Sequence, residues 1–329
     1  MKSWGDQSLR RDWASSAKPV LSTLLFFAVH EGKLRGVDAR VADAGWPLRE
    51  KDAGMTFAHL ANMISGYARP EPPGSAWAYN DYAIMLYQKT LFDRVFKADA
   101  NEVAATRFAP LGLQDGLAFD GRRRLKASVR DFARLGWFWL NRGEWAGKQV
   151  LPRQFFDEYL KPHVPSSLPN SQGSGDDDYL KIGTYGGGSN HFSTAGPGIY
   201  GVQLLVQRPG PERVGPADLA RRRPADAFMT LGVRGNCSLI IPSRGLVVVA
   251  AEANWGQNTP GDPGSVTNLL IKRLLAGNAA EARKTQARAG LIAGGAFGRA
   301  EGVAPRHLDL PPGRRRRNPM PRTRSATFA

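Results

Sequence analysis

The feature that most constrains this chain is an apolar run directly after a proline. The run covers residues 20–29, and Pro19 precedes it. Proline is favoured in the first turn of a helix, and the apolar residues recur with helical spacing. We therefore expect a buried helix that ends near Gly32 and whose first turn contains Ser15 and Lys18. The rest of the chain must pack around this helix.

Ser15 and Lys18 are three residues apart, so on a helix their side chains are neighbours. A lysine at the start of a buried helix is partly desolvated and lies near the positive end of the helix dipole. Both effects disfavour its charged form, so Lys18 could accept the Ser15 proton near neutral pH. The plainer alternative is that Ser15 is a helix cap and Lys18 lies along the surface.

Composition limits the other chemistries. The chain has 329 residues, 42% of them hydrophobic, with 37 Gly and 23 Pro, which suits one large core or two small ones with many turns. Cys237 is the single cysteine, so an intrachain disulfide and a multi-cysteine zinc site are excluded. The five histidines are scattered. We therefore predict neither a metal nor another cofactor.

The net charge of +16 raises nucleic acid as a partner, but its distribution argues against it. Residues 280–329 carry 11 basic and 3 acidic side chains and so supply half of the excess. Two further arginine clusters, 122–124 and 221–223, lie in loop-like surroundings, and no aromatic residues interleave with the charge. Nucleic acid is therefore not the partner that we expect.

No targeting or membrane segment is predicted in the sequence. Residues 1–14 lack an apolar stretch of the kind found in secretion signals, and the longest apolar run is about ten residues, too short to span a bilayer. The cellular location therefore stays open.

The region from about residue 50 to 165 is predicted to be mostly helical. A short helix from Met55 to Ile64, opened by Thr56, carries His59, which is best interpreted as a half-buried helix residue. A Pro/Gly-rich loop then leads to Tyr79 and Asp81 just before the next helix. Asp81 suits a helix N-cap, and Tyr79 suits an aromatic core position as well as a catalytic one.

The period changes to that of strands in residues 180–278. Residues 200–206, 237–241 and 246–251 are short aliphatic runs bounded by Gly and Pro, with a turn at 242–245. A helix at 266–276 is expected to cover the sheet. The pattern predicts an α+β domain of two parts over 1–278 and a disordered Arg/Pro-rich tail over 279–329.

Three segments then line up in order: Ala-Ser15-Ser-Ala-Lys18-Pro, His59-Leu-Ala-Asn-Met-Ile-Ser-Gly66, and Pro73-Gly-(x)4-Tyr79-Asn-Asp81. They resemble the motifs A-S-x-x-K-P, H-L-L-T-H-T-S-G and P-G-x-x-x-x-Y-S-N of the class C β-lactamase and esterase branch of the penicillin-recognising serine hydrolases. The resemblance covers residues 10–278. It implies the β-lactamase/transpeptidase-like fold, in which helices flank an antiparallel sheet beside a mostly helical lobe.

The resemblance also implies roles for individual residues. Ser15 matches the acylated nucleophile and Lys18 the lysine that takes its proton. Tyr79 matches the tyrosine that acts as general acid or base toward the leaving group and the deacylating water. The implied substrate is a small ester or amide. Asp81 stands where the family usually has Asn, so a carboxylate replaces an amide donor and puts recognition of a substrate amide in question.

A third family motif, K-T-G or H-x-G on a strand beside the site, is matched best by Thr230-Leu-Gly232. By this match, the backbone N–H of Val233 would join that of Ser15 in an oxyanion hole. The Lys or His is absent and Arg234 is the nearest cation, which favours an ester over a penicillin carboxylate. His191, in a glycine-rich stretch at 185–191, is either a substrate contact or part of a flexible connection.

The family has two strands before the serine helix, whereas 14 residues precede Ser15 here. We therefore expect Met1 to be a late start, with one sheet edge left unpaired. The alternative to an esterase or β-lactamase-like hydrolase is a catalytically silent or truncated relative that acts as a binding protein. The sequence indicates no oligomeric state.

Overall fold

The computed structural model describes residues 3, 5–173, 175–190, 196–201, 204–206, 224, 226–251, 273, 276 and 277. The chain divides into two units, Met1–Asn278 and Ala279–Ala329, and all of the described residues lie in the first. The predicted α+β class is confirmed, because helices and antiparallel sheets are combined within that unit. The predicted disordered tail and His191 lie outside the described residues, as does most of the predicted helix at 266–276.

Helices dominate the described residues up to 159. The α-helices are α1 Lys18–His30, α2 Phe57–Ala61, α3 Asp81–Lys89, α4 Ala100–Phe108, α5 Val129–Leu140 and α6 Arg153–Tyr159. A π-helical segment, Thr90–Phe96, continues α3. None of the helices in the described part of the chain has the length and apolar character that crossing a bilayer requires.

Within the described residues the strands form three antiparallel sheets. They are β1 Arg11–Asp12, β2 Ala118–Phe119, β3 Leu125–Ala127, β4 Glu144–Trp145, β5 Lys148–Gln149, β6 Tyr200–Gly201, β7 Leu204–Val206, β8 Phe228–Leu231, β9 Cys237–Ile241 and β10 Leu246–Ala250. The sheet orders are β1-β3-β2, β4-β5 and β10-β9-β8-β7-β6. Helix α5 packs against strands β9 and β10 of the five-stranded sheet.

Helix α1 lies at the centre of the larger hydrophobic core, as the apolar run predicts. Its residues 18–28 are all buried, and Leu24 and Leu25 are fully so. Full burial of one such side chain stabilises the fold by about 1.5–3 kcal/mol. The buried helix therefore fixes the position of the residues that precede it. Before α1 the chain forms a separate 3-10 turn, Ala14–Ala17, and Ser15 therefore precedes the α-helix instead of lying in its first turn.

The hairpin of β9 and β10 follows the prediction closely. Leu246 pairs with Ile241, and Gly245 adopts φ 54° at the end of the turn that joins them. The single strand predicted at 200–206 is wrong: it is two short strands, in which Tyr200 pairs with Leu205. A short segment with the composition of one strand does not reveal that the chain reverses within it. Among the described strands β10 pairs with β9 alone and forms one edge of the sheet.

Helix α5 joins the sheet to the serine turn. Gly136 faces the sheet, where an added Cβ would lie 2.7 Å from Val247, so the absence of a side chain permits this close packing. On the same helix Phe132 stacks on Trp13 with ring centroids 3.8 Å apart. The Trp13 indole N–H also donates to the Ala127 carbonyl over 2.9 Å. The residue two positions before Ser15 is thus fixed to β3 and α5.

Two predicted helix features need correction, the end of α2 and the cap of α3. Helix α2 is shorter than predicted and ends at Ala61, although Thr56 caps it as expected and shares a reciprocal capping box with the half-buried His59. Helix α3 begins at Asp81, and its N-cap is Asn80, whose Oδ1 accepts from the Ala83 N–H over 2.9 Å. Asp81 is therefore not the cap, and its carboxylate has other partners.

Candidate active site

Ser15 is the one partly exposed residue of the 3-10 turn Ala14–Ala17. Ala14, Ser16 and Ala17 are all buried. The Ser16 hydroxyl is turned inward and donates to the Asn236 carbonyl over 2.6 Å. The turn therefore offers the Ser15 hydroxyl to solvent while its neighbours hold it in place.

Lys18 connects the predicted catalytic residues. Its Nζ donates to Ser15 Oγ over 2.8 Å and to the Tyr79 hydroxyl oxygen over 2.7 Å, and it lies 3.2 Å from Asp81 Oδ1. The ammonium also lies 4.6 Å from the centroid of the Tyr79 ring. Lys18, Tyr79 and Asp81 are all buried, so these contacts are shielded from water. The structure brings together Ser15, Lys18, Tyr79 and Asp81.

The loop before α3 delivers Tyr79 and Asp81 to this point. Gly66 has φ 67°, and an added Cβ there would lie 2.2 Å from the Glu71 carbonyl oxygen, so the loop can fold this tightly only on a glycine. Asn80 fixes the end of the loop, because its side-chain amide donates to the Tyr67 carbonyl over 2.5 Å while its Oδ1 caps α3. Tyr79 and Asp81, which lie on either side of Asn80, are therefore both held facing Lys18.

Asp81 also binds the glycine-rich loop at 185–188. Its Oδ2 accepts from the Gly187 N–H over 2.6 Å. Its backbone N–H donates to the Gly188 carbonyl over 3.2 Å, and its carbonyl accepts from the Tyr185 N–H over 3.1 Å. The glycine-rich stretch is thus a wall of the site, held by the residue that pairs with Lys18.

The protonation of Lys18 differs from the sequence-based expectation. Burial does lower the pKa of Lys18, but its interactions with Tyr79 and Asp81 raise the pKa more, and it lies above the ordinary value of 10.5. The expected low pKa of Lys18 is therefore wrong in direction. The pKa is raised because Lys18 interacts with Tyr79 and, in addition, with Asp81, which was expected to cap the helix and not to pair with the lysine.

Val233 follows Gly232, which lies against the serine turn. It begins the 3-10 turn Val233–Gly235, and Ser15 is the second residue of its own turn. The first N–H groups of a helical turn have no partner within the turn and so can bind an anion. Gly232 allows the two turns to approach, because an added Cβ there would lie 2.9 Å from the Ser16 nitrogen and 2.9 Å from the Trp13 oxygen.

The remaining third-motif residues are placed differently. Thr230 is buried, and its hydroxyl oxygen accepts from the Ser238 N–H over 2.9 Å, so it is engaged within the sheet. Arg234 is exposed and has φ 62° in the turn that Val233 begins.

Two residues at the site were not predicted. Tyr185 donates through its hydroxyl to the Ala14 carbonyl over 2.9 Å, and its ring centroid lies 4.8 Å from Lys18 Nζ. Asn236 is fully buried and accepts from both the Ser16 hydroxyl and the Gly232 N–H, while its amide donates to the Asp12 carbonyl. Tyr185 had a signal, since it opens the glycine-rich stretch, but Asn236 had none.

The arrangement suits nucleophilic chemistry that needs no metal ligands. It offers a partly exposed serine whose hydroxyl is in hydrogen-bond contact with a cation, which in turn contacts a phenol. Within the described residues, no group of three or more His, Cys, Asp or Glu side chains could hold a metal ion.

Comparison with solved structures identifies the fold. A β-lactamase from Mycobacterium bovis aligns with TM-score 0.57 and 17% identity over 84% of this chain and 90% of its own. A class C β-lactamase from Rhodobacter sphaeroides aligns with TM-score 0.55 and 18% identity, covering 82% and 87%. EstCE1, a hydrolase with promiscuous acyltransferase activity, aligns with TM-score 0.55 and 15% identity, covering 78% and 83%.

No protein-family model matches the chain, and no curated protein matches it significantly. The likeness is thus one of structure at low sequence identity. The chain has the fold of the serine β-lactamases and penicillin-binding proteins, as the three motifs predicted.

Proposed function

We propose that this chain, with its β-lactamase-like fold, is a serine hydrolase that forms an acyl-enzyme at Ser15 on a small ester or amide. The observation that carries the proposal is the continuous contact from Ser15 Oγ to Lys18 Nζ over 2.8 Å and from there to the Tyr79 hydroxyl over 2.7 Å. Each distance lies within the reach that direct proton transfer needs. The hydrolases among the structural neighbours support the same reaction class.

In the proposed reaction, Ser15 Oγ attacks the substrate carbonyl carbon as its proton passes to the free-base form of Lys18. The N–H groups of Ser15 and Val233 receive the oxyanion. When the tetrahedral intermediate collapses, the bond to the leaving group breaks, and the proton reaches the departing oxygen or nitrogen through Tyr79. Water then attacks the acyl-enzyme with the proton moving in the opposite direction, which releases the acid and restores Ser15.

Lys18 must lose a proton before this reaction begins. Because its pKa is raised, Lys18 is an ammonium ion at neutral pH, paired with Asp81. We therefore expect hydrolysis to increase as the pH rises and the free-base fraction grows. The same ion pair favours the alternative of a catalytically silent binding protein, in which Ser15 is never deprotonated.

An ester is the favoured substrate class. Strand β8, Phe228–Leu231, contains no cation that could bind a substrate carboxylate in the way that a lysine or histidine there would. Asp81 presents a carboxylate whose oxygens contact Lys18 and the Gly187 N–H, so it offers no amide donor to a substrate. A neutral ester needs neither a cation that binds a carboxylate nor an amide donor.

A fluorophosphonate probe tests the proposal, because it phosphonylates only an activated serine. We expect mass spectrometry to find the label on Ser15 and short p-nitrophenyl esters to be hydrolysed. Ser15→Ala should abolish both results. Ser243→Ala is the matched control, since Ser243 lies in the turn at the opposite end of β9 and its hydroxyl contacts Asp226. Absence of label from the folded wild type across alkaline pH would favour the binding protein.

A further inference from the structure

The residue before the proposed nucleophile has an unfavourable backbone conformation. Ala14 adopts φ 46°, in the left-handed region that residues with a side chain rarely occupy. Such a conformation persists only where surrounding contacts impose it, and it is concentrated at functional sites.

Both polar groups of Ala14 are bound by side chains. Its N–H donates to Asp12 Oδ1 over 2.8 Å. Its carbonyl accepts from the Tyr185 hydroxyl over 2.9 Å. Asp12 lies in β1, two residues before Ala14, whereas Tyr185 comes from the glycine-rich loop, so one local and one tertiary contact together fix the rotation of Ala14.

Arg124 joins the two partners. Its guanidinium donates to Asp12 Oδ2 over 3.1 Å and to the Tyr185 carbonyl over 3.4 Å. The guanidinium carbon also lies 5.8 Å from the centroid of the Tyr185 ring. A closed circuit therefore runs from Asp12 through Ala14 and Tyr185 to Arg124 and back to Asp12. We call these three side chains the Ala14 brace.

We infer that Asp12, Arg124 and Tyr185 are positioning residues that hold Ala14 in its left-handed conformation and thereby aim the Ser15 hydroxyl and its backbone N–H. The inference rests on the proposed hydrolase function for its catalytic consequence. If Ala14 relaxes, the next residue rotates, and both the nucleophile and one oxyanion donor move. A displacement of about 1 Å at a reacting group can cost about a hundredfold in rate.

The perturbing variant is Tyr185→Phe, which removes the hydroxyl donor to Ala14 and keeps the ring beside Lys18. We expect kcat for a p-nitrophenyl ester to fall about 10- to 100-fold while KM changes less than about threefold, because alignment at the transition state is lost and not substrate binding. Tyr159→Phe is the matched control, since that tyrosine stacks on Phe26 in α1, away from the site.

Ala14→Gly supplies the decisive second variant. Glycine occupies positive φ without a Cβ penalty, so a chain that carries this substitution needs the brace less. We expect Ala14→Gly to recover at least about fivefold of the kcat lost in Tyr185→Phe. We also expect Tyr185→Phe to lower the thermal unfolding midpoint less in the Ala14→Gly background than in the wild type, since residues that share a strained contact are coupled.

The unfolding cycle separates the two proposals. Equal midpoint shifts for Tyr185→Phe in the two backgrounds would overturn the brace, whatever the activity. Coupled midpoints with a normal kcat in Tyr185→Phe would overturn its role in aiming Ser15. A wild type that is never labelled at Ser15 would overturn the hydrolase instead, while the unfolding cycle would still decide whether the brace holds Ala14.

Discussion

Asp81→Asn tests how the site controls the charge of Lys18. The substitution keeps the shape of the side chain and removes a buried negative charge 3.2 Å from the lysine nitrogen. An asparagine oxygen can still accept from the Gly187 N–H that Asp81 now binds over 2.6 Å. The variant therefore changes the electrostatics of Lys18 while the loop contact is retained.

The size of the expected effect follows from the distance between the Asp81 carboxylate and Lys18 Nζ. At an effective dielectric constant of about 20, two unit charges separated by 3.2 Å attract each other by about 5 kcal/mol, part of which offsets the cost of burying both. Loss of one opposite charge at such a distance commonly shifts a titration by about one to three pH units. Removing the Asp81 charge favours the free base of Lys18. The acidic limb of the pH–rate profile should therefore move to lower pH by about one to three units. Activity at pH 7 should then increase about 10- to 1,000-fold.

The assay is the pH dependence of kcat/KM for a p-nitrophenyl ester, measured for wild type and variant. Because the pKa of Lys18 is raised, the ammonium stabilises the folded chain below about pH 10.5, and this contribution is lost as the pH rises through the higher folded value. Circular dichroism at each alkaline pH must therefore confirm folding. Asp93→Asn is the control, since that carboxylate pairs with Arg123 in an exposed salt bridge.

A folded Asp81→Asn chain with no activity at any pH would refute this reasoning. In that case Asp81 would be the group that finally accepts the serine proton through Lys18, and not a charge that delays its release. An unmoved acidic limb would also refute it, because the limb would then belong to a group other than Lys18.

Three further predictions concern single residues. Tyr79→Phe should lower kcat about 10²- to 10⁴-fold with the fold intact, as expected for loss of a general acid or base, and a rate within twofold of wild type would assign Tyr79 to the core instead. Gly232→Ala should lower kcat about 10²- to 10³-fold by pushing the two oxyanion turns apart, whereas Gly54→Ala, which has open space around it, should be near neutral in the same assay. Hydrogen bonds from Arg130 lower the pKa of Asp115 from 3.8 to about 2, so its carboxylate stabilises the fold above about pH 4 and loses this effect as the pH falls through 2; Asp115→Asn should flatten the fall in unfolding midpoint over that range, and an unchanged slope would contradict the assignment.

Local sequence patterns predicted the elements whose causes are local. The apolar run after Pro19 predicted the buried helix α1, and the turn at 242–245 predicted the hairpin of β9 and β10. The β6–β7 reversal was missed because residues 200–206 have the length and composition of a single strand. The alternation of residues in a strand shows which face of the sheet each side chain occupies, but it does not show where the chain reverses.

The candidate site was predictable in its residues and less so in its electrostatics. Motif order identified Ser15, Lys18 and Tyr79, which the fold brings into hydrogen-bond contact. The raised pKa of Lys18 depends on its distances to Tyr79 and Asp81. The expected cap role of Asp81 hid its contact with Lys18, and it was wrong because Asn80 serves as the cap one residue earlier. Adjacent polar residues at a helix start compete for the same role, and only tertiary contacts decide which one is left to act elsewhere.

Asp81 links the charge of the site to its geometry. One of its oxygens lies beside Lys18, and the other holds Gly187, two residues beyond the tyrosine that binds the Ala14 carbonyl. A change that removed both contacts would release the lysine and loosen the glycine-rich loop together, so its effect on rate would have two causes.

Asparagine at position 81 removes the charge and keeps a hydrogen-bond acceptor, whereas alanine removes both. If the loop contact matters for aiming Ser15, Asp81→Ala should therefore lower kcat below that of Asp81→Asn at a pH where Lys18 is the free base in both variants. Equal rates in the two variants at that pH would confine the role of Asp81 to its charge.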